Sequence, residues 1–85
     1  MSIWVKADSS QVYMNISGVV LAEHVEFLRS NLLSRLQYGY RRITINMNNV
    51  SNFDSDGVQM LDYVRNQICQ QGGELIIEDA AGRAG

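Results

Sequence analysis

Between Asn46 and Gly57 the chain changes its period. Up to this stretch Ile43, Ile45 and Met47 alternate with Thr44 and Asn46, the pattern of a strand with one buried face. Beyond it Val58, Leu61, Val64 and Ile68 recur at helical spacing. The stretch is therefore a junction of strand, loop and helix, with Ser55 at the turning point. Asp54 or Ser55 suits the helix start, since a short side-chain oxygen accepts from the unpaired amides of a first turn. A hydroxyl held there lies near the positive end of the helix dipole, a place that favours an added anion such as a phosphate.

The flanking segments repeat the same two periods. Ile3, Val5 and Ala7 alternate with Trp4 and Lys6; Asp8-Ser9-Ser10 breaks the pattern; Val12, Met14 and Ile16 alternate with Tyr13 and Asn15. This predicts a hairpin closed by Ser17-Gly18. A loop through Val19 and Val20 leads to a helix over 22–38, with Leu21, Val25, Leu28, Leu32 and Leu36 as its apolar stripe, widened by Phe27 and Leu33, and Gly39 as its stop. A third strand is expected over 42–47, a second helix over 55–71 ended by Gly72-Gly73, and a fourth strand over 74–78 with Leu75 and Ile77 on one face. Residues 80–85 read as a small-residue tail to a domain spanning 1–79.

The order strand, strand, helix, strand, helix, strand implies an α/β fold with a mixed sheet. An antiparallel hairpin comes first, and parallel strands joined by crossovers follow. All four strands alternate, so both helices belong on one face; strands buried on both sides would be continuously apolar. Right-handed crossovers to one face then give the spatial order 1-2-3-4. The opposite face carries Trp4, Lys6, Tyr13, Asn15, Thr44, Asn46 and Ile76.

Composition limits the function. The 85 residues make one domain, and 46% hydrophobic residues suffice for one core. The net charge is -2, and the seven Lys and Arg are scattered apart from Arg41-Arg42, which disfavours nucleic acid. No apolar run reaches spanning length and residues 1–6 are too short and mixed for a signal peptide, so a soluble cytoplasmic domain is expected. Cys69 alone cannot form an internal disulfide. His24 has only Glu23 and Glu26 nearby, which reads as a surface histidine rather than a metal ligand. Met47 and Met60 read as core.

Asp54-Ser55-Asp56-Gly57 admits several chemistries. It can simply cap a helix. Asn52, Asp54, Asp56 and Gly57 match four positions of an EF-hand loop, but Tyr63 stands where the bidentate Glu is needed and a strand precedes the loop. The run also resembles the first motif of haloacid dehalogenase-type phosphotransferases, with Asp54 as nucleophile and Asp56 as acid. That chemistry needs Mg2+, further acids and a Lys, whereas the one lysine, Lys6, is far upstream, and residues 48–53 separate Asp54 from the expected strand end. Both readings are set aside, and no metal or cofactor is expected.

The run from Asn46 to Val58, followed after a helix by Gln71-Gly72-Gly73-Glu74-Leu75, resembles the core of a STAS domain of the anti-sigma factor antagonist family. The spacing matches without a gap from Ile43 to Ile77, and the Gly18 turn and first helix fit as well. The resemblance implies a non-catalytic module of a partner-switching pathway, in which Ser55 is phosphorylated by a partner kinase that is itself an anti-sigma factor. A serine phosphatase would reset it. Phe53, Asp54, Ser55, Asp56, Gly57 and Val58 would form the partner-binding surface. The alternative is a STAS-like subunit that docks on a larger assembly, such as a transporter or stress-signalling complex, without phosphorylation. The sequence departs from the family pattern at Asp56, where a small residue is usual, and at Leu21, where a loop acid is common. The family's last helix and strand are absent, which leads us to expect a homodimer or a tightly bound partner completing the layer.

Overall fold

The computed structural model describes residues 1–80, so the expected tail, apart from Ala80, lies outside the described residues. Its first turn is organised by Asp8. Asp8 Oδ1 accepts from the amides of Ser10 and Gln11 at 2.9 Å each, and the Asp8 amide donates to the Gln11 carbonyl at 3.0 Å. This is how a short acid reverses a chain between two strands. The turn joins β1 (Ser2–Ala7) to β2 (Gln11–Val19), an antiparallel pair with Ile3 opposite Ile16 and Val5 opposite Met14.

α1 (Ala22–Tyr38) carries the chain over to β3 (Arg42–Asn52), parallel to β2, and α2 (Ser55–Gln70) carries it to β4 (Glu74–Glu78), parallel to β3. The spatial order is β1-β2-β3-β4, as the alternation and the crossover rule imply. One face of the sheet supplies Val12, Met14, Ile16, Ile43, Ile45, Met47 and Leu75 to the core. The helices supply Val25, Leu28, Leu32 and Leu36 from α1 and Met60, Leu61, Val64 and Ile68 from α2. Met14, Leu32, Ile43, Ile45, Val64 and Ile68 are completely buried. Each such side chain is worth roughly 1.5–3 kcal/mol in removed apolar surface.

Three expectations need correction. β3 does not end at Met47 but runs to Asn52, because it carries two bulges against β2. At the first, Asn15 pairs with Asn46 but Ser17 with Asn49, so β3 spends one residue more than its partner. The extra residue shifts the phase: Val50 turns inward and is buried, while Asn48 and Asn49 stay outside. Second, Ser17-Gly18 does not close β2, which continues to Val19. Gly18 sits at the second irregularity with φ +88°, a conformation that a Cβ would strain. Third, Leu21 and Phe27 lie outside the apolar stripe of α1, each about half exposed. Leu21 is the N-cap residue, turned out of the helix before the stripe begins.

The opposite face is semi-polar, as read from the sequence. Trp4 meets Tyr13 edge to face, with ring centroids 6.2 Å apart. Tyr13 Oη donates to Glu78 Oε1 at 3.2 Å, and Asn46 Nδ2 donates to Tyr13 Oη at 3.0 Å. These bonds tie β2, β3 and β4 together across the open face.

Candidate functional site

All three parallel strands end on one side of the sheet, and the N-termini of α1 and α2 begin there. In open α/β sheets this is the side where connections are free to carry function. The Val20 amide donates to the Asn52 carbonyl at 3.1 Å, which fixes the connection into α1 against the end of β3. Phe53 then leads into α2.

Asp54, not Ser55, caps the helix. Its backbone is extended, with φ -94° and ψ -175°, and its Oδ1 accepts from the amides of Asp56 at 3.1 Å and Gly57 at 3.2 Å. The first helical bond follows from the Val58 amide to the Asp54 carbonyl, 3.2 Å. Ser55 is the first helical residue and is exposed, as are Asp54 and Asp56. Because Asp54 already occupies two first-turn amides, a phosphate on Ser55 would find little of that donor set vacant. It would add its charge at the surface, next to two carboxylates.

Phe53 and Gly57 are coupled by close packing. Gly57 is buried, and a Cβ built on it would stand 2.5 to 2.9 Å from three atoms of the Phe53 ring. Phe53 is half-buried and packs on the core, and Val58 is half-buried. Of the six residues singled out from the sequence, Asp54, Ser55 and Asp56 are exposed, and the Asp54 carboxylate is engaged in the cap.

A groove of about 360 Å³ runs beside Asp56 between the two helices, lined by Val25 and Arg29 of α1 and by Gln59, Met60 and Tyr63 of α2, among others. Arg29 is engaged by Glu26 at 2.7 Å. From the sequence, Val25 and Met60 read as core, and none of the five was assigned to a site. The signal was present, because Asp56, Gln59, Met60 and Tyr63 recur at three- and four-residue spacing along one side of α2.

Leu21 offers no side-chain acceptor at the start of α1. His24 reaches back instead, its Nδ1 accepting from the Leu21 amide at 3.0 Å, while Nε2 stands 3.8 Å from Glu23 Oε1. The histidine read as a plain surface residue thus helps hold the first turn of α1. Cys69 is exposed, and Met47 and Met60 are core.

The spacing held against a haloacid dehalogenase-like nucleophile also changes. Since β3 runs to Asn52, only Phe53 separates the strand from Asp54. Lys6, however, pairs with Tyr13, which aligns with Thr44 near the start of β3, at the end of the sheet remote from Asp54. Among the described residues, no three His, Cys, Asp or Glu side chains gather as metal ligands, and no helix is long and apolar enough to cross a membrane.

The chain belongs to the STAS domain family, whose model matches residues 3–83. No curated protein matches it in sequence. Its fold is similar to that of the anti-sigma factor antagonist SpoIIAA in its unphosphorylated form, with TM-score 0.78 and 19% identity over 89% of this chain and 71% of that one. The phosphorylated form of SpoIIAA, a Bacillus cell fate determinant, matches with TM-score 0.79 and 16% identity over 95% of this chain and 93% of that one. A structure of Mglu matches with TM-score 0.80 and 20% identity over 93% of this chain, which spans only 20% of the Mglu chain.

Proposed function

We propose that this STAS domain is a non-catalytic, phosphorylatable interaction module of a partner-switching circuit. Unphosphorylated, it binds an anti-sigma factor that is also a serine kinase. That kinase modifies Ser55 and is released, and a serine phosphatase restores the binding form. The observation that carries this reading is the place of Ser55. It is exposed, it is the first helical residue, and it stands directly behind a capping Asp that fixes the turn without using the hydroxyl. The partner seat is Phe53 to Val58 together with the adjoining groove between α1 and α2.

The switch is electrostatic. A phosphate adds about -1.5 to -2 charge beside Asp54 and Asp56, which a solvated helix start tolerates and a desolvated interface does not. That SpoIIAA gives similar folds in both forms, with TM-scores of 0.78 and 0.79 to this chain, fits a modification that acts at the surface. Ser55→Asp should shift fold stability by only about 0.3–1 kcal/mol. At the interface an unpaired charge costs about 1–3 kcal/mol, roughly tenfold in affinity for each 1.4. Calorimetry of wild type and Ser55→Asp against the kinase reads this directly, and equal affinities would sink the switch. Phosphopeptide mapping after incubation with kinase and ATP should place the modification on Ser55 and not on Ser51.

Asp56 supports a second reading, because it sets a permanent charge beside Ser55. The same fold also makes up one fifth of the Mglu chain. A docking subunit of a larger assembly would bind its partner through the same surface and take up no phosphate from ATP and kinase.

A further inference from the structure

The sheet has two edge strands, β1 and β4, and among the described residues no further strand pairs with either. An edge strand presents unpaired backbone donors and acceptors, and natural proteins protect it with charge. Here the charges differ in sign. On the open face β1 carries Ser2, Trp4 and Lys6, and β4 carries Glu74, Ile76 and Glu78. On the helix face β1 carries Ile3 and Val5, and β4 carries Leu75 and Ile77. β4 set against its own copy, centred on Ile76, would put Glu74 opposite Glu78 twice over. β1 set against its own copy would leave Lys6 without an acid.

We propose that β1 of one chain pairs with β4 of a second copy, antiparallel, so that identical chains associate head to tail in a continuous sheet. One register satisfies every position. With Trp4 opposite Ile76, Lys6 meets Glu74, Ser2 meets Glu78, Ile3 meets Ile77 and Val5 meets Leu75. Cross-strand neighbours of this kind lie in side-chain contact and supply the pairing preference of a sheet. Sliding by two residues either way sets Trp4 against a carboxylate and removes Lys6 from Glu74. Sliding by one turns the apolar side chains to opposite faces. Glu74 already accepts from Arg42 Nε at 2.7 Å, so Lys6 of the second copy completes a three-charge cluster with acid in the centre. Glu78, held by Tyr13 and Asn46, receives the Ser2 hydroxyl as a further donor.

The contact joins two different surfaces, so it does not close at two chains and leaves a free edge at each end. Sedimentation equilibrium across a concentration series should show a weight-average mass that climbs past two chains and falls back as salt rises. Lys6→Glu alone and Glu74→Lys alone should each abolish the climb, and mixing the two variants should restore it, with circular dichroism checking that each remains folded. Register is read separately: a Trp4→Cys chain and an Ile76→Cys chain, both carrying Cys69→Ser, should form a mixed disulfide under mild oxidation. A strictly single-chain mass at all concentrations overturns the proposal. So does a plateau at two chains, association indifferent to Glu74→Lys, or absence of the mixed disulfide.

Discussion

Gly57→Ala separates two opposing effects at the start of α2. The new Cβ would stand 2.5, 2.7 and 2.9 Å from Cζ, Cε1 and Cε2 of Phe53, where ordinary contact begins at 3.4 Å, so the ring must retreat by nearly 1 Å. Overpacking of this kind costs about 1–3 kcal/mol. Alanine gains up to about 1 kcal/mol over glycine in a helix interior, and Gly57 has no positive φ to forbid it. The net change in wild type is a destabilisation of about 0–3 kcal/mol. In a Phe53→Ala background the obstacle is gone, and the same substitution should stabilise by up to about 1 kcal/mol. Urea unfolding of the four proteins in this cycle measures the coupling, with an unchanged m-value confirming that the midpoint shift is a stability shift. A coupling under about 0.5 kcal/mol, the scatter of independent sites, would refute the claim that Phe53 and Gly57 are packed against each other.

Two further outcomes follow from the turns. Asp54→Ala strands the Asp56 and Gly57 amides and should cost about 0.5–2 kcal/mol in urea unfolding, while Asp54→Asn, which keeps the acceptor, should cost much less. The Ser10 and Gln11 amides, with the Gln11 side chain, hold the Asp8 carboxyl below its ordinary value of 3.8. A depressed folded pKa contributes stability above the unfolded pKa that is lost as pH falls through the lower folded value. Wild type should therefore lose its advantage over Asp8→Asn as the medium is taken from about pH 5 to about pH 2. Urea midpoints that fall in parallel for the two proteins would rule Asp8 out of the acid response.

The sheet order was legible because every strand kept its period over at least its first five residues and both crossovers had to turn the same way. The helix starts were legible too, since Asp54 and the apolar residues after it are adjacent in sequence. The far half of β3 was not. Met47-Asn48-Asn49-Val50 breaks the period of two, and a bulge is invisible until the partner strand's register is known. Leu21 and Phe27 fit a helical stripe by spacing alone, yet the exit of the chain from β2 turns the first outward, and the width of the core leaves the second on the flank. The role of His24 was hidden for a different reason. A capping box is read from an acid or amide at the third helical position, and here an imidazole nitrogen performs that task behind a leucine.

The site follows from the same features that obscured β3. Two residues inserted by the bulges bring the end of β3 level with the end of β2, Asn52 beside Val19, and Phe53 follows, packed over the buried Gly57. Phe53 is then committed to packing, Asp54 to two amides, Gly57 to making room for the ring and Val58 partly to the helix underside. Ser55 and Asp56 are left facing solvent, Asp56 at the rim of a groove between two helices. If the proposed partner surface is right, substitutions at Phe53, Asp54 and Gly57 should change stability and partner binding together, because these residues build the turn. Substitutions at Ser55 and Asp56 can change binding alone. Under the proposed function, a hydroxyl outside the capping bonds, held in place by its neighbours, is where a single phosphate would act without unfolding what lies beneath it.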